Sequence, residues 1–279
     1  MSEPSLSEPS VSPRSVSLHP PPAVVVTCEH AGNRVPPGFP AGGGTPGGGA
    51  MPDPEFAEAL ESHRGWDPGA LLLARSLAGV LGAPLRVCLT SRLLVEVNRS
   101  EGHPELFSRW SATLPGTERR ALVRRIHRRH RRRVEQTLAL ASRGWTRDVV
   151  HVGVHTFTPE LDQVRREVDV GVLFDPAAPF EARVARGWIR AMEAVLPGWR
   201  IRENEPYDGR SDGLTTSLRE TRGREVQGKA GRYAGLELEV NQARVGRDDP
   251  DGGRVRCREL AQILAEALQC VMAEVSSPP

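Results

Sequence analysis

The chain carries a single lysine, Lys229, among 279 residues, no paired cysteine spacing and no long apolar run. The missing apolar run excludes a membrane-spanning helix, which needs about 20 such residues. Formal net charge is only +2 at a hydrophobic fraction of 38%, which argues against a general polyanion binder and for a globular fold. Cys28, Cys88, Cys257 and Cys270 form no CxxC pair and lie mostly in apolar patterns, so they read as buried free thiols of a cytoplasmic protein. Met1 to Pro22 is rich in Ser and Pro and lacks the pattern of a signal peptide; it reads as a disordered tail, with one catalytic domain expected over 23–275.

What is present is two Val-rich runs that each close on histidine. Val24 to His30 and Val149 to His155 read as buried strands, and turn residues follow each histidine at once. Both imidazoles are therefore expected at the carboxyl ends of strands, where open α/β sheets bind ligands. Between them lie a Gly/Pro segment, Pro36 to Pro54, read as a mobile loop beside His30, and a helix beginning near Asp67-Pro68. Leu85 to Val97 reads as extended chain with a turn near Thr90-Ser91, and Thr117 to Ser142 as a long helix with Leu122, Ile126, Val134 and Leu138 on one side. Further on come a strand at Leu173-Phe174, a helix over Phe180 to Val195, a polar loop from Glu203 to Thr216, an apolar-acidic strand Gly235 to Val240 and a helix over Arg256 to Val275. Strands alternating with helices predict an α/β fold: a three-layer, open, mixed but mainly parallel sheet with helices on both faces.

Two histidines and a carboxylate are a common zinc set in hydrolytic sites. Asp67 is favoured as the third ligand beside His30 and His155, although Asp before Pro is also an ordinary N-cap. Glu29 is the alternative, needing a local bend because neighbours on a strand face opposite ways; Asn33 carries no charge. Glu239 is the candidate base, since Glu237 and Glu239 share one face of a strand whose surroundings look buried; an edge strand with a solvated face is the plainer reading. Arg99, with Asn98, ends another apolar run and suits a substrate carboxylate.

Taken in order, Cys28-Glu29-His30-Ala31-Gly32-Asn33-Arg34-Val35-Pro36, Gly65 to Ala70, Ser91 to Arg99, Val154 to Pro159, Asn204 to Tyr207 and Leu238 to Asn241 resemble the blocks of the N-formylglutamate amidohydrolase family. The third block carries Glu96 where the family usually has Asp, and Asn33 stands where an HxxE motif would put Glu. The family is similar in fold to zinc carboxypeptidases and aspartoacylases, so a zinc-exopeptidase-like sheet is implied. The resemblance further implies a small-molecule substrate, an N-formyl or other N-acyl amino acid, hydrolysed with one divalent metal, expected to be zinc. It implies His30, Asp67 and His155 as ligands, Glu239 as catalytic base, and Asn98 and Arg99 as substrate-binding residues.

Three rival readings attach to other features. Nine arginines between Arg119 and Arg133 could bind nucleic-acid phosphates, but no aromatic residue interleaves them, and with one lysine in the chain the arginine abundance reads as compositional bias. Cys28, near His30, is a candidate nucleophile against the rule that buried thiols are inert. A catalytically inactive binding protein of the same fold is the third. His127 and His130 lie among the arginines, where positive charge disfavours a metal; His151 reads as a hydrogen-bonded core group, and His63 and His103 lie in or near loops.

Overall fold

The computed structural model describes residues 20–37, 53–225, 231–245 and 250–276. Met1 to His19 of the expected tail and residues 38–52 of the Gly/Pro loop fall outside these residues. Its strands are β1 (Ala23–Cys28), β2 (Leu85–Val87), β3 (Val149–Phe157), β4 (Glu160–Leu161), β5 (Val164–Arg165), β6 (Val170–Leu173), β7 (Ile201–Glu203) and β8 (Tyr233–Asn241). The helices are α1 (Pro54–Glu61), α2 (Ala70–Leu81), α3 (Arg109–Ala112), α4 (Gly116–Leu122), α5 (Arg128–Ala141), α6 (Pro179–Val195), α7 (Leu214–Glu225), α8 (Gln242–Val245) and α9 (Pro250–Val275).

Six strands form one sheet in the order β2-β1-β3-β8-β6-β7, with β6 and β7 running against the other four. The chain leaves β1 for β2 on one side and then returns to β3 on the other. That reversal opens a crevice at the carboxyl ends of β1 and β3, the usual ligand position in such sheets. The expected mixed, mainly parallel sheet is thus present. β8 lies inside it, between β3 and β6, so the edge-strand reading of its glutamates is overturned.

Alternation along the central strands divides the two faces. Val26, Cys28, Val150, Val152, Val154, Leu236, Leu238 and Val240 join a core with residues of α2, α6 and α9. The opposite face starts apolar, where Ala23, Val25 and Val149 pack with Val134 and Leu138 of α5 and Leu214 and Leu218 of α7. Towards the carboxyl ends that same face turns polar: Thr27, Glu29, His151, His155 and Glu239 are all buried. β3 is buried along its whole length, so these groups must find partners inside the protein.

Several sequence expectations need correction. Only Leu85–Val87 of the expected extended segment is a strand; a bridge from Thr90 to Arg34 and a turn over residues 92–94 replace the rest. Asp67 does not cap α2. That position belongs to Gly69 at φ 89°, where a Cβ would come within 2.8 Å of Val245. The arginine helix runs through a π-turn at Val123–His127, which shifts its buried stripe to His127, His130, Val134 and Leu138 and leaves Ile126 half-buried. The polar loop after Glu203 ends earlier than expected, because α7 begins at Leu214.

His151 carries a consequence for stability. Its ring is bonded to Thr27 Oγ1 and to the Tyr233 hydroxyl, each at 2.8 Å, and burial pushes its pKa from 6.5 down to about 4. As pH falls from 6.5 towards 4 the unfolded chain takes up a proton that the folded chain refuses, so this site costs up to about 1.4 kcal/mol of stability per pH unit. His151→Gln should flatten the fall in unfolding free energy across that window relative to wild type in urea titrations. Parallel curves would show that His151 does not titrate this way.

Candidate functional site

At the crevice, β1 ends at Cys28 and the chain turns so that His30 lies two residues beyond the strand. His155 stands on β3 two residues before its end, and its ring centroid is 5.0 Å from that of His30. Asp67 is fixed between them by backbone: its N–H donates to the His30 carbonyl at 3.0 Å, and the Thr156 hydroxyl donates to the Pro68 carbonyl at 2.8 Å. Its Oδ2 then meets His30 Nδ1 at 3.2 Å and His155 Nδ1 at 2.9 Å. All three side chains are buried, and ligand atoms of the three lie within 4.8 Å of one another. This group can hold a metal ion.

A second layer orients the two imidazoles. His30 Nε2 is 2.5 Å from Glu96 Oε1 and 2.8 Å from Arg92 Nη2, contacts that ask opposite things of the nitrogen. The shorter contact is to the carboxylate, and the His30 pKa is raised against burial and Arg92 by Glu96 and Asp67, so Nε2 is the donor. Arg92 also donates to Glu96 Oε2 at 2.8 Å and to Asp67 Oδ1 at 3.2 Å. On the other side, His155 Nε2 faces Glu29 Oε2 at 3.4 Å, a charge contact with poor hydrogen-bond geometry, and Glu29 Oε1 meets His130 Nε2 at 3.2 Å. Glu29 therefore stands behind His155, outside the His30, Asp67 and His155 group. Asn33 is turned away too, donating to the Leu60 carbonyl at 3.2 Å.

The electrostatics follow from burial opposed by neighbours. Burial alone would raise the Asp67 carboxyl, but the charges of His30 and Arg92 and the bonds from both imidazoles hold it far below the usual carboxylate range. Burial pushes the His155 imidazole down, and Asp67 and Glu29 outweigh it, leaving its pKa well above 6.5. Glu239 is the exception. It stands opposite His155 in the β3–β8 register, its Oε2 is buried with no hydrogen-bond partner among the described residues, and burial raises its pKa from 4.5 to about 8 despite the pull of His155.

A cleft of about 580 Å³ opens over these groups, lined by His30, Asp67, His155, Glu239, Asn98 and Arg99, with His63 among the other lining residues. Arg99 donates through Nη1 to the Asp212 carbonyl, and its own carbonyl accepts from His127 Nε2 at 2.7 Å and Arg131 Nη1 at 2.8 Å. Asn98 is engaged at both ends of its amide: Oδ1 accepts from Leu214 N at 2.8 Å and Nδ2 reaches Glu237 Oε1 at 3.5 Å. His103 only caps a turn, accepting from Glu105 N at 3.1 Å.

The structure thus brings His30, Asp67, His155, Glu239, Asn98 and Arg99 to one cleft and leaves Glu29 behind it. It removes Cys28 as a nucleophile: burial and the charges of Glu29 and Asp67 push that thiol well above its ordinary pKa. Cys88 and Cys257 are buried as expected, whereas Cys270 is exposed. In the sequence, Glu96 marks only a departure within the Ser91 to Arg99 block, no role falls to it or to Arg92, whose i,i+4 charges lie in a turn, and His130 is discounted; the signal for His130 is its place on the apolar stripe with Val134 and Leu138. No helix among the described residues is long and apolar enough to cross a membrane.

The fold is similar to that of solved structures. A gene product, Atu2144, from Agrobacterium tumefaciens is 25% identical, with a TM-score of 0.71 over 91% of this chain and 92% of that one. An N-formylglutamate amidohydrolase from Ralstonia eutropha JMP134 is 16% identical, with a TM-score of 0.64 over 92% of this chain and 97% of that one, and shows the shared fold. Comparison with curated proteins gives no match. The family model for N-formylglutamate amidohydrolase matches residues 22–245, spanning every residue of the His30, Asp67 and His155 group as well as Glu239, and the chain belongs to that family.

Proposed function

We propose that this protein hydrolyses the amide bond of an N-formyl or other N-acyl amino acid, N-formylglutamate-like, releasing formate or another short acid and the free amino acid. The observation that carries this reading is the convergence of His30 Nδ1 and His155 Nδ1 on one Asp67 oxygen, beside a buried Glu239 oxygen without a hydrogen-bond partner among the described residues. His30, Asp67 and His155 would hold one divalent ion, zinc by its preference for two histidines and a carboxylate. When bound, that ion supplies Lewis-acid polarisation of the acyl carbonyl and acidification of water. Glu96 orients His30 through its hydrogen bond and Glu29 faces His155 as a charge contact, the place outer carboxylates take around metal-binding histidines.

Arg99 takes the substrate α-carboxylate, and Asn98 secures the same loop by bonding Leu214 and Glu237. This orients the amide over Glu239. Glu239 accepts the proton of the attacking water as the water oxygen bonds to the acyl carbon. It then returns that proton to the leaving nitrogen as the C–N bond breaks. Burial holds its pKa near 8, and a cation in front of it favours the ionised form that a base requires.

Glu239→Gln should keep its metal and lose about 10²- to 10⁴-fold in kcat on N-formyl amino acids, measured beside metal content. Turnover near wild type would remove Glu239 from the chemistry. Glu29→Gln should weaken zinc binding by about 10- to 100-fold in competition with a chelator. An unaltered affinity would mean that Glu29 serves packing alone.

A further inference from the structure

We propose that the cavity between the arginine helix and α7 binds a small anion carrying two phosphoryl groups, at a site separate from the cleft. The inference goes beyond the amidohydrolase reading and does not depend on it. The cavity encloses about 670 Å³, within the range of roughly 300–1,000 Å³ that small-molecule sites occupy, and it shares no lining residue with the cleft. Arg124, Arg128, Arg129, Arg131 and Arg132 line it against two carboxylates, Glu101 and Glu135. Both carboxylates are already taken. Glu101 accepts from Arg128 Nε and Nη2, each at 2.7 Å, and Glu135 accepts from Arg222 of α7. Arg124, Arg129 and Arg132 are left with no counter-ion among the described residues. Elsewhere on the surface Arg186, Arg200, Arg232 and Arg244 each pair with an acid, so arginine abundance alone does not produce this arrangement.

The fold sets these groups along one wall. Arg128 and Arg132 lie one turn apart on α5, and Arg124 precedes them in the π-turn, so all three meet the same side of the helix. Leu214, Ser217, Leu218 and Thr221 of α7 supply the facing wall. His127 adds a buried polar group. Its Nε2 donates to the Arg99 carbonyl at 2.7 Å, whereas its Nδ1 is buried without a hydrogen-bond partner among the described residues, 3.9 Å from Glu101 Oε1. Burial lowers the pKa of this ring, so with its proton on Nε2 the Nδ1 atom is an acceptor in need of a donor. A phosphoryl group, whose second pKa lies near about 6, can bring that proton; a carboxylate at neutral pH cannot. Two phosphoryl groups carry about three to four negative charges, which match Arg124, Arg129 and Arg132. No Phe, Tyr or Trp lines the cavity, which leaves a nucleic-acid base nothing to stack on. His127 and Arg131 also hold the Arg99 carbonyl, so the cavity lies behind the loop of Arg99, whose guanidinium lines the cleft instead.

The test is calorimetric titration of the full-length protein with sodium pyrophosphate. Wild type should bind one pyrophosphate per chain. The double variant Arg124→Gln, Arg132→Gln, both positions being exposed, should unfold at the wild-type temperature and bind at least about tenfold more weakly, as expected for two lost charge-assisted contacts. Arg99→Gln should bind as wild type does, because that guanidinium belongs to the cleft. Citrate, a carboxylate anion of similar charge, should bind at least about tenfold more weakly than pyrophosphate. Absence of pyrophosphate binding would overturn the assignment, as would binding that persists in the double variant or disappears in Arg99→Gln, which would put the anion in the cleft or on a metal there. Equal affinity for citrate would overturn the phosphoryl chemistry. Binding of a DNA duplex more tightly than pyrophosphate, lost in the double variant, would replace the small-anion site with a nucleic-acid surface.

Discussion

Asp67 is the group on which the rest of the site depends. One of its oxygens receives both imidazole Nδ1 atoms, which are buried with it, and the other receives the partly exposed Arg92. A buried carboxylate is costly unless its charge is met and its lone pairs are bonded. Here the requirement is met by residues from three separate segments: His30 just beyond β1, His155 near the end of β3 and Arg92 in its turn. Each further ring of contacts then answers a demand set by the first. His30 needs Glu96 for its second nitrogen, His155 faces Glu29, and Glu29 in turn needs His130 from the arginine helix.

This chain of demands explains why one face of the central strands changes character along its length. Where β1, β3 and β8 begin, apolar side chains meet α5 and α7; where they end, histidines and glutamates replace them. The arginine helix, whose outer surface is charged, serves the site through its inner one. His127 and Arg131 hold the carbonyl of Arg99, and His130 holds Glu29. Local clustering of arginine therefore has a structural consequence that composition alone does not disclose.

The sheet and the meeting of His30 with His155 were legible because buried strands advertise themselves as Val-rich runs, and neighbouring runs that end together bring their last residues together. The position of Glu239 was legible for a related reason, a carboxylate repeated with period two in an apolar run. Asp67 was found for the right neighbourhood and a partly wrong reason: Gly69 caps α2, and the carboxylate turns back to the imidazoles. Arg92 and Glu96 were not legible as site residues, since they sit in an irregular turn with no periodicity to mark a buried side. α7 was missed because its polar sequence gives little amphipathic signal, although Leu214 and Leu218 are buried. Glu29 shows the limit of reading by adjacency. Its place beside His30 suggested a ligand, while the strand's alternation and the position of His130 put it behind His155.

The most direct test of the account is crystallographic. Crystals grown with zinc, with data collected across the zinc absorption edge, should give one anomalous peak about 2.0–2.2 Å from a nitrogen of His30, a nitrogen of His155 and an oxygen of Asp67. Glu96 and Glu29 should remain beyond bonding distance, on the far nitrogens of the two rings. A peak bonded to Glu29 or Glu96 in place of Asp67, or no peak between the two histidines, would contradict the central claim.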